Sequence, residues 1–171
     1  FNIKAEFIKA FDGKENINDY KYNIKDNLIS HGGYGRIRSL LEIIKKMRKN
    51  KYKNVLILED DILMLKDFNK EFNKYQNNLI IKEKKWDMLF LGMNYNYKYI
   101  KKKLSRIEQK VTGAYAVAIS DKIINEYEYL LRKFNCYIDT IPYQILKKKY
   151  KIYGIYPNLI IPKIGDSDID K

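Results

Sequence analysis

The chain is short of the residues that enzymes most often use for nucleophilic and metal chemistry. It has one cysteine, Cys136, and one histidine, His31, in 171 residues. A single cysteine excludes an intrachain disulfide and fits a reducing compartment, which favours a cytoplasmic setting. One His and one Cys also exclude zinc sites of the usual composition. Cys–His catalysis would have to draw on His31, which belongs to no recognisable motif. The chemistry therefore falls to carboxylates, hydroxyls and bound metal. Arginine is scarce as well: of 34 basic residues only 5 are Arg and 29 are Lys. No apolar run approaches the length of a membrane span, and no signal peptide is visible.

What is present describes a globular chain. Apolar residues make up 46% of it, and 171 residues suffice for one domain, 1–171, with a sizeable core. It opens on Phe1 without a Met, as an excised fragment would, and a targeting segment could lie outside it. The formal net charge of +13 invites a nucleic-acid reading. The excess of Lys over Arg argues against a sequence-specific reader, because bidentate recognition of bases and phosphates favours the guanidinium. Lys, Asn, Ile and Tyr are also the residues of AT-rich codons, so composition accounts for much of the charge.

The most informative stretch is Val55 to Ile62, V-L-I-L-E-D-D-I. Four apolar residues without interruption suit a strand buried on both faces, as in a parallel sheet covered by helices. Glu59, Asp60 and Asp61 then emerge at its carboxyl end, where open α/β sheets place ligands. Three adjacent carboxylates repel one another, and a hard divalent cation relieves that repulsion. Two apart on an extended chain, Glu59 and Asp61 point the same way. The competing reading is a strand that ends in a solvated acidic turn.

Around it the periodicity predicts further elements. Asp12-Gly13 is a turn signal. The cluster His31-Gly32-Gly33-Tyr34-Gly35 reads as a loop, either a cradle for a phosphate or a flexible entry to the helix that follows. Ile37, Leu40, Leu41, Ile44 and Met47 give that helix its apolar stripe, and Phe68, Phe72 and Tyr75 give a second between Asp67 and Asn77. Trp86 to Gly92 and Thr112 to Ser120 read as strands, the latter built of small residues that let a ligand or another backbone approach. The tyrosines between Asn94 and Tyr99 are placed to stack on a base or sugar, or lie on a surface loop. Ser120 is placed to cap a helix with the stripe Ile123, Ile124, Tyr127, Leu130, Leu131 and Phe134. Asp139 precedes a third helix, Pro142 to Lys149, and Ile152 to Tyr156 and Leu159 to Ile161 read as strands.

Taken in order, A-F-D-G at Ala10 to Gly13, Gly35 opening a helix, L-I-L-E-D-D-I, W-D-M-L-F-L-G, G-A-Y-A-V-A-I-S, Y-I-D-T at Tyr137 to Thr140 and S-D-I at Ser167 to Ile169 resemble glycosyltransferase family 25, the lipopolysaccharide and collagen β-galactosyltransferase group. The resemblance spans nearly the whole chain. It implies an α/β, GT-A-like single domain with a mostly parallel central sheet flanked by helices. It further implies an inverting, metal-dependent transfer of a hexose from a UDP-sugar donor to a hydroxyl on a glycan or on hydroxylysine. On that basis Glu59 and Asp61 are metal ligands for Mn²⁺ or Mg²⁺, and Asp60, Gly92 and Asn94 belong to the nucleotide side. Asp139, ahead of Asp168, is the candidate catalytic base. Two departures stand out: Leu40 follows Ser39 where the family usually has Ser-His, and the family's strand and Arg-bearing helix ahead of A-x-D-G are missing. An inactive accessory domain of the same fold and a basic nucleic-acid-binding module are the competing functions.

Overall fold

A computed structural model of the chain describes residues 5–14, 30–94, 104–108, 111–133 and 149–163. The segments carrying Tyr95 to Tyr99, Asp139, the helix expected from Pro142, and Asp168 lie outside the described residues.

The first element, α1 (His31–Lys49), starts six residues ahead of Ile37, where its stripe begins. The glycine cluster is not a loop but the beginning of the helix. Ser30 caps it, its Oγ accepting from the Gly33 N–H at 3.1 Å, which satisfies one of the donors that a helix start leaves open. Glycine weakens a helix, so contacts from outside must hold this turn. They come from the preceding segment. The Phe11 N–H donates to Ser39 Oγ at 3.0 Å, and Ser39 Oγ donates to the Gly35 carbonyl. Arg38 stacks its guanidinium 4.6 Å from the Phe11 ring centroid. The Asp12-Gly13 turn forms as expected, and backbones meet closely there. A Cβ on Gly35 would lie 2.3 Å from the Phe11 carbonyl oxygen, and one on Gly13 1.9 Å from that of His31.

The strands are β1 (Asn54–Leu58), β2 (Ile62–Met64), β3 (Met88–Asn94), β4 (Leu104–Arg106), β5 (Thr112–Ser120), β6 (Ile152–Ile155) and β7 (Ile160–Pro162). The remaining helices are α2 (Phe68–Gln76), α3 (Leu79–Lys82) and α4 (Ile124–Lys133), the last entered through a 3₁₀ turn at Asp121–Ile123. Five strands form one sheet in the order β1-β5-β3-β6-β4, and β2 pairs with β7 in a separate ribbon.

The sheet is mostly antiparallel, which corrects the expected mostly parallel one. Among the described strands only β3 and β6 pair in parallel; β1–β5, β5–β3 and β6–β4 are antiparallel. The reason is β5, which runs opposite to its neighbours and inserts between β1 and β3. An apolar run signals burial without specifying strand direction. For the same reason β1 is an edge strand: Ile57 is buried while Leu56 is 39% exposed. β1, β3 and β6 still run the same way, so their carboxyl ends share one edge of the sheet.

Two apolar layers cover the sheet. Ile37, Ile44 and Met47 of α1 meet Ile124, Tyr127 and Leu131 of α4 over Met88, Phe90, Val117 and Ile119. On the other side Phe68 and Tyr75 of α2 pack with Trp86, Leu89, Leu91, Leu159 and Ile160. β3 is buried at every position except Asn94, as a strand between two layers must be.

A charged clamp joins α1 to α4 at the surface. Arg48 pairs with Glu128 and bonds Asn125, and Arg132 donates to Glu128 at 2.7 Å. Burial pushes the Glu128 carboxyl up, but the Arg132 and Arg48 guanidiniums more than offset it and leave it below the ordinary glutamate value of 4.5. A depressed folded value means that this carboxylate stabilises the fold above pH 4.5, and that the contribution is lost as pH falls through the folded value. Glu128→Gln is therefore expected to lower stability by about 1 kcal/mol at neutral pH and to converge on the parent as the solution is acidified. Urea denaturation at several pH values reads the difference, and a gap that is constant with pH would refute the assignment.

Candidate functional site

Of the sequence-predicted residues, Glu59, Asp60, Asp61, Gly92 and Asn94 are among those described, and they lie at the carboxyl edge of the sheet. β1 ends at Leu58, opposite Ala116 of β5, and Ala116 is also opposite Gly92 of β3. One step further, the Glu59 N–H donates to the Tyr115 carbonyl at 3.0 Å. The Tyr115 hydroxyl donates to Asn94 Oδ1. Tyr115 thus lies between Glu59 and Asn94 and ties the ends of β1 and β3 together. Tyrosine does this well, because its ring is buried while its hydroxyl reaches a polar partner at the rim. Asn94 itself is exposed.

The acidic triplet does not continue β1. The chain bends at Asp60 and Asp61 before β2 begins, so the extended-strand geometry that would aim Glu59 and Asp61 alike is absent. Asp60 and Asp61 are both exposed, and the Asp61 carbonyl accepts from the Lys163 N–H at 2.6 Å. Glu59 is half-buried and differently placed. Its carboxylate pairs with the Arg36 guanidinium of α1, with Oε1 shut off from solvent. Among the described residues no group of three or more His, Cys, Asp and Glu side chains assembles a metal cage.

Gly92 is buried beneath the ribbon. A Cβ there would lie 2.3 Å from the Ile160 carbonyl oxygen, and the neighbouring Leu159 N–H donates to Leu91 O at 2.9 Å. The β3–β5 register shifts on both sides of Gly92, a bulge of the kind that re-aims a strand end. In the structure this glycine serves the approach of β7. Asn158, just before β7, donates from Nδ2 to the Met93 carbonyl at 2.7 Å and seals the same corner.

Sequence reasoning missed Arg36, Tyr115 and Asn158. A signal for Arg36 existed. In a chain that uses Lys almost everywhere, a retained Arg marks a place that needs a planar, multidentate cation. Arg36, Arg38, Arg48 and Arg132 all make such contacts. Leu40, where the family usually has histidine, is buried in the α1 core stripe.

The acidic bend and the Tyr115–Asn94 pair thus share the carboxyl edge of a mixed sheet covered by helices. The family model for glycosyltransferase family 25 (LPS biosynthesis protein) matches residues 1–152, and the chain belongs to that family. It is accordingly a glycosyltransferase, which moves a sugar from a donor to an acceptor. No curated protein matches it. Among the described residues no helix is long and apolar enough to cross a membrane.

The close contact at Gly92 is directly testable. Gly92→Ala forces β7 away from β3 and is expected to lower the unfolding free energy by about 1–3 kcal/mol, the usual cost of overpacking. An unchanged denaturation midpoint would show that the Ile160 carbonyl yields freely.

Proposed function

We propose that residues 1–171 act as one GT-A-like domain that transfers a hexose from a UDP-sugar to a hydroxyl of a glycan or hydroxylysine acceptor. The reading includes inversion at the anomeric carbon and a bound Mn²⁺ or Mg²⁺. The observation that carries it is the exposed Asp60-Asp61 bend at the carboxyl edge of β1 in a member of glycosyltransferase family 25. Two exposed carboxylates suit this use, because small hard cations at phosphate sites commonly take one or two protein carboxylates and complete their shell with phosphates and water. When bound, the ion neutralises charge on the leaving diphosphate. Asp61 holds the ion, Asp60 flanks it towards the nucleotide, and Asn94 offers its exposed amide on the same edge. Gly92 contributes by shaping the strand end beneath them.

The acceptor hydroxyl must lose a proton as it attacks, and Asp139 is the proposed base, with Asp168 next. Asp168 follows Lys163 by five residues in sequence, and Lys163 is hydrogen-bonded to the acidic bend.

The metal reading predicts that Asp61→Asn leaves the melting temperature unchanged and lowers Mn²⁺-dependent UDP affinity by about tenfold or more. Calorimetric titration with and without Mn²⁺ measures it, and undiminished affinity would remove Asp61 from the site. The base assignment predicts that Asp139→Asn keeps donor affinity and slows transfer by roughly a hundredfold. Transfer at the parental rate would move the role to Asp168.

A further inference from the structure

We propose that the amino edge of the sheet, opposite the candidate site, is a docking face for a bilayer of anionic lipid. The inference does not draw on the metal or donor reading, because none of the residues involved belongs to the carboxyl edge.

The fold assembles this edge from four separate segments. β1 starts at Asn54, β3 at Met88 and β6 at Ile152, and the antiparallel β5 ends among them at Ser120. Backbone bonds run across these ends in one row. The Asp121 N–H donates to the Lys53 carbonyl at 2.9 Å, the Ser120 N–H to the Asp87 carbonyl at 3.0 Å, and the Asp87 N–H to the Lys151 carbonyl at 2.8 Å. Three strand spacings of about 4.8 Å separate Lys53 from Lys151, so the row spans about 14 Å. Beside it Glu83, Asp87, Asp121 and Glu126 are paired with Lys85, Lys122, Lys53 and Lys149. Glu108, which follows β4 at the same edge, is engaged as well. Lys49, Lys51, Lys82, Lys84 and Lys151 are exposed and pair with no carboxylate among the described residues. Tyr52, 48% exposed, stands between Lys51 and Lys53.

Two of these lysines hold positions that suit another residue. α1 and α3 both end at this edge, and each closes with the same pair of backbone bonds. The Lys51 N–H donates to the Arg48 carbonyl and the Tyr52 N–H to that of Met47. The Lys84 N–H donates to the Ile81 carbonyl and the Lys85 N–H to that of Ile80. Such a helix end turns on one left-handed residue, usually glycine and sometimes asparagine. Here it is lysine both times, with φ at 55° and 50°. Codon composition does not explain the choice, because asparagine is as AT-rich as lysine and tolerates positive φ better. Local preference is overridden twice, at one edge and in favour of the same charge.

The occupant follows from the chemistry. Free ammonium groups on flexible stems match a diffuse negative surface, where each contributes by proximity and not by a fixed contact. Lysine is depleted in protein interfaces, which argues against a protein partner. Readout of nucleic acid favours arginine, and Arg48 at this edge is already held by Glu128 and Asn125. Tyr52 suits the headgroup level, where an amphipathic ring has both an apolar and a wet side. A chain docked this way keeps its carboxyl edge open to solution.

The test is co-sedimentation of the whole chain with vesicles of phosphatidylglycerol and phosphatidylcholine in equal parts, against phosphatidylcholine alone, with a melting curve for each variant. The parent is expected to bind the anionic vesicles, to leave the neutral ones and to be released by high salt. Lys51→Gly/Lys84→Gly gives both helix ends the residue they suit. It should melt no lower than the parent, yet bind the anionic vesicles about tenfold or more weakly. Lys66→Gln/Lys70→Gln removes as much charge at the start of α2, beyond the screening length of the docked face, and should stay within about twofold. Undiminished binding by the glycine variant assigns the two lysines to helix ends alone and overturns the inference. A parent that ignores anionic vesicles, or binds neutral ones equally, overturns it too. Equal losses in the two variants would place the attraction in the net charge and not at this edge. Tighter binding to a random oligonucleotide than to the vesicles would give the face to nucleic acid instead. If the glycine variant does not fold, Lys49→Gln/Lys82→Gln/Lys151→Gln is measured against the same tenfold threshold.

Discussion

The burial of β3 is the constraint on which the other elements depend, and Asp87 at its head makes that burial feasible. A central strand exposes no backbone to water, so every polar group at its ends needs a partner. Asp87 provides three of them. Its carboxylate accepts from the Lys151 N–H at 2.9 Å, its own N–H donates to the Lys151 carbonyl, and its carbonyl accepts from Ser120. One residue therefore registers β6 on one side and the end of β5 on the other. With those fixed, the apolar face of α1 and α4 has a continuous sheet surface to cover, and so has the α2 layer opposite. The far end of the same strand, at Gly92 and Asn94, is then delivered to the edge where β1 ends in acid.

Much of this was legible in the sequence because it is local. The small-residue stretch forms β5 with the expected bounds Thr112 and Ser120, and the α1 stripe is buried at Ile37, Leu40, Ile44 and Met47. The second aromatic stripe forms α2 as anticipated. Strand direction was not legible, since Val55 to Leu58 carries the same apolar signal whether it pairs parallel or antiparallel. Nor was the pairing of β2 with β7, whose partners lie about a hundred residues apart in the chain. Such contacts come from the fold as a whole and leave little trace in either segment.

At the candidate site, the residue types were legible and their arrangement was not. The sequence places three carboxylates side by side. The structure separates them, because the chain bends after Glu59 and because Arg36, 23 residues earlier, claims one of them. Ser39 illustrates the same point. Its hydroxyl links the Phe11 N–H to the Gly35 carbonyl, a contact across 28 residues that the local sequence does not announce. Leu40, beside it, fills core space.

That use of Ser39 has a consequence for how the helix opens. The first turns of α1 contain Gly32, Gly33 and Gly35, each about 1 kcal/mol poorer in helix propensity than alanine. The middle of the helix, from Ile37 to Met47, is held by the core. Local opening free energies must therefore rise along α1 from its amino end, with slow amide exchange only beyond Ile37. The Ala10 to Gly13 segment acts as a clasp over the weak end. Releasing it would fray the turn that carries Arg36, so the Arg36–Glu59 pair beside the acidic bend is mechanically coupled to a short segment packed on the far side of that turn.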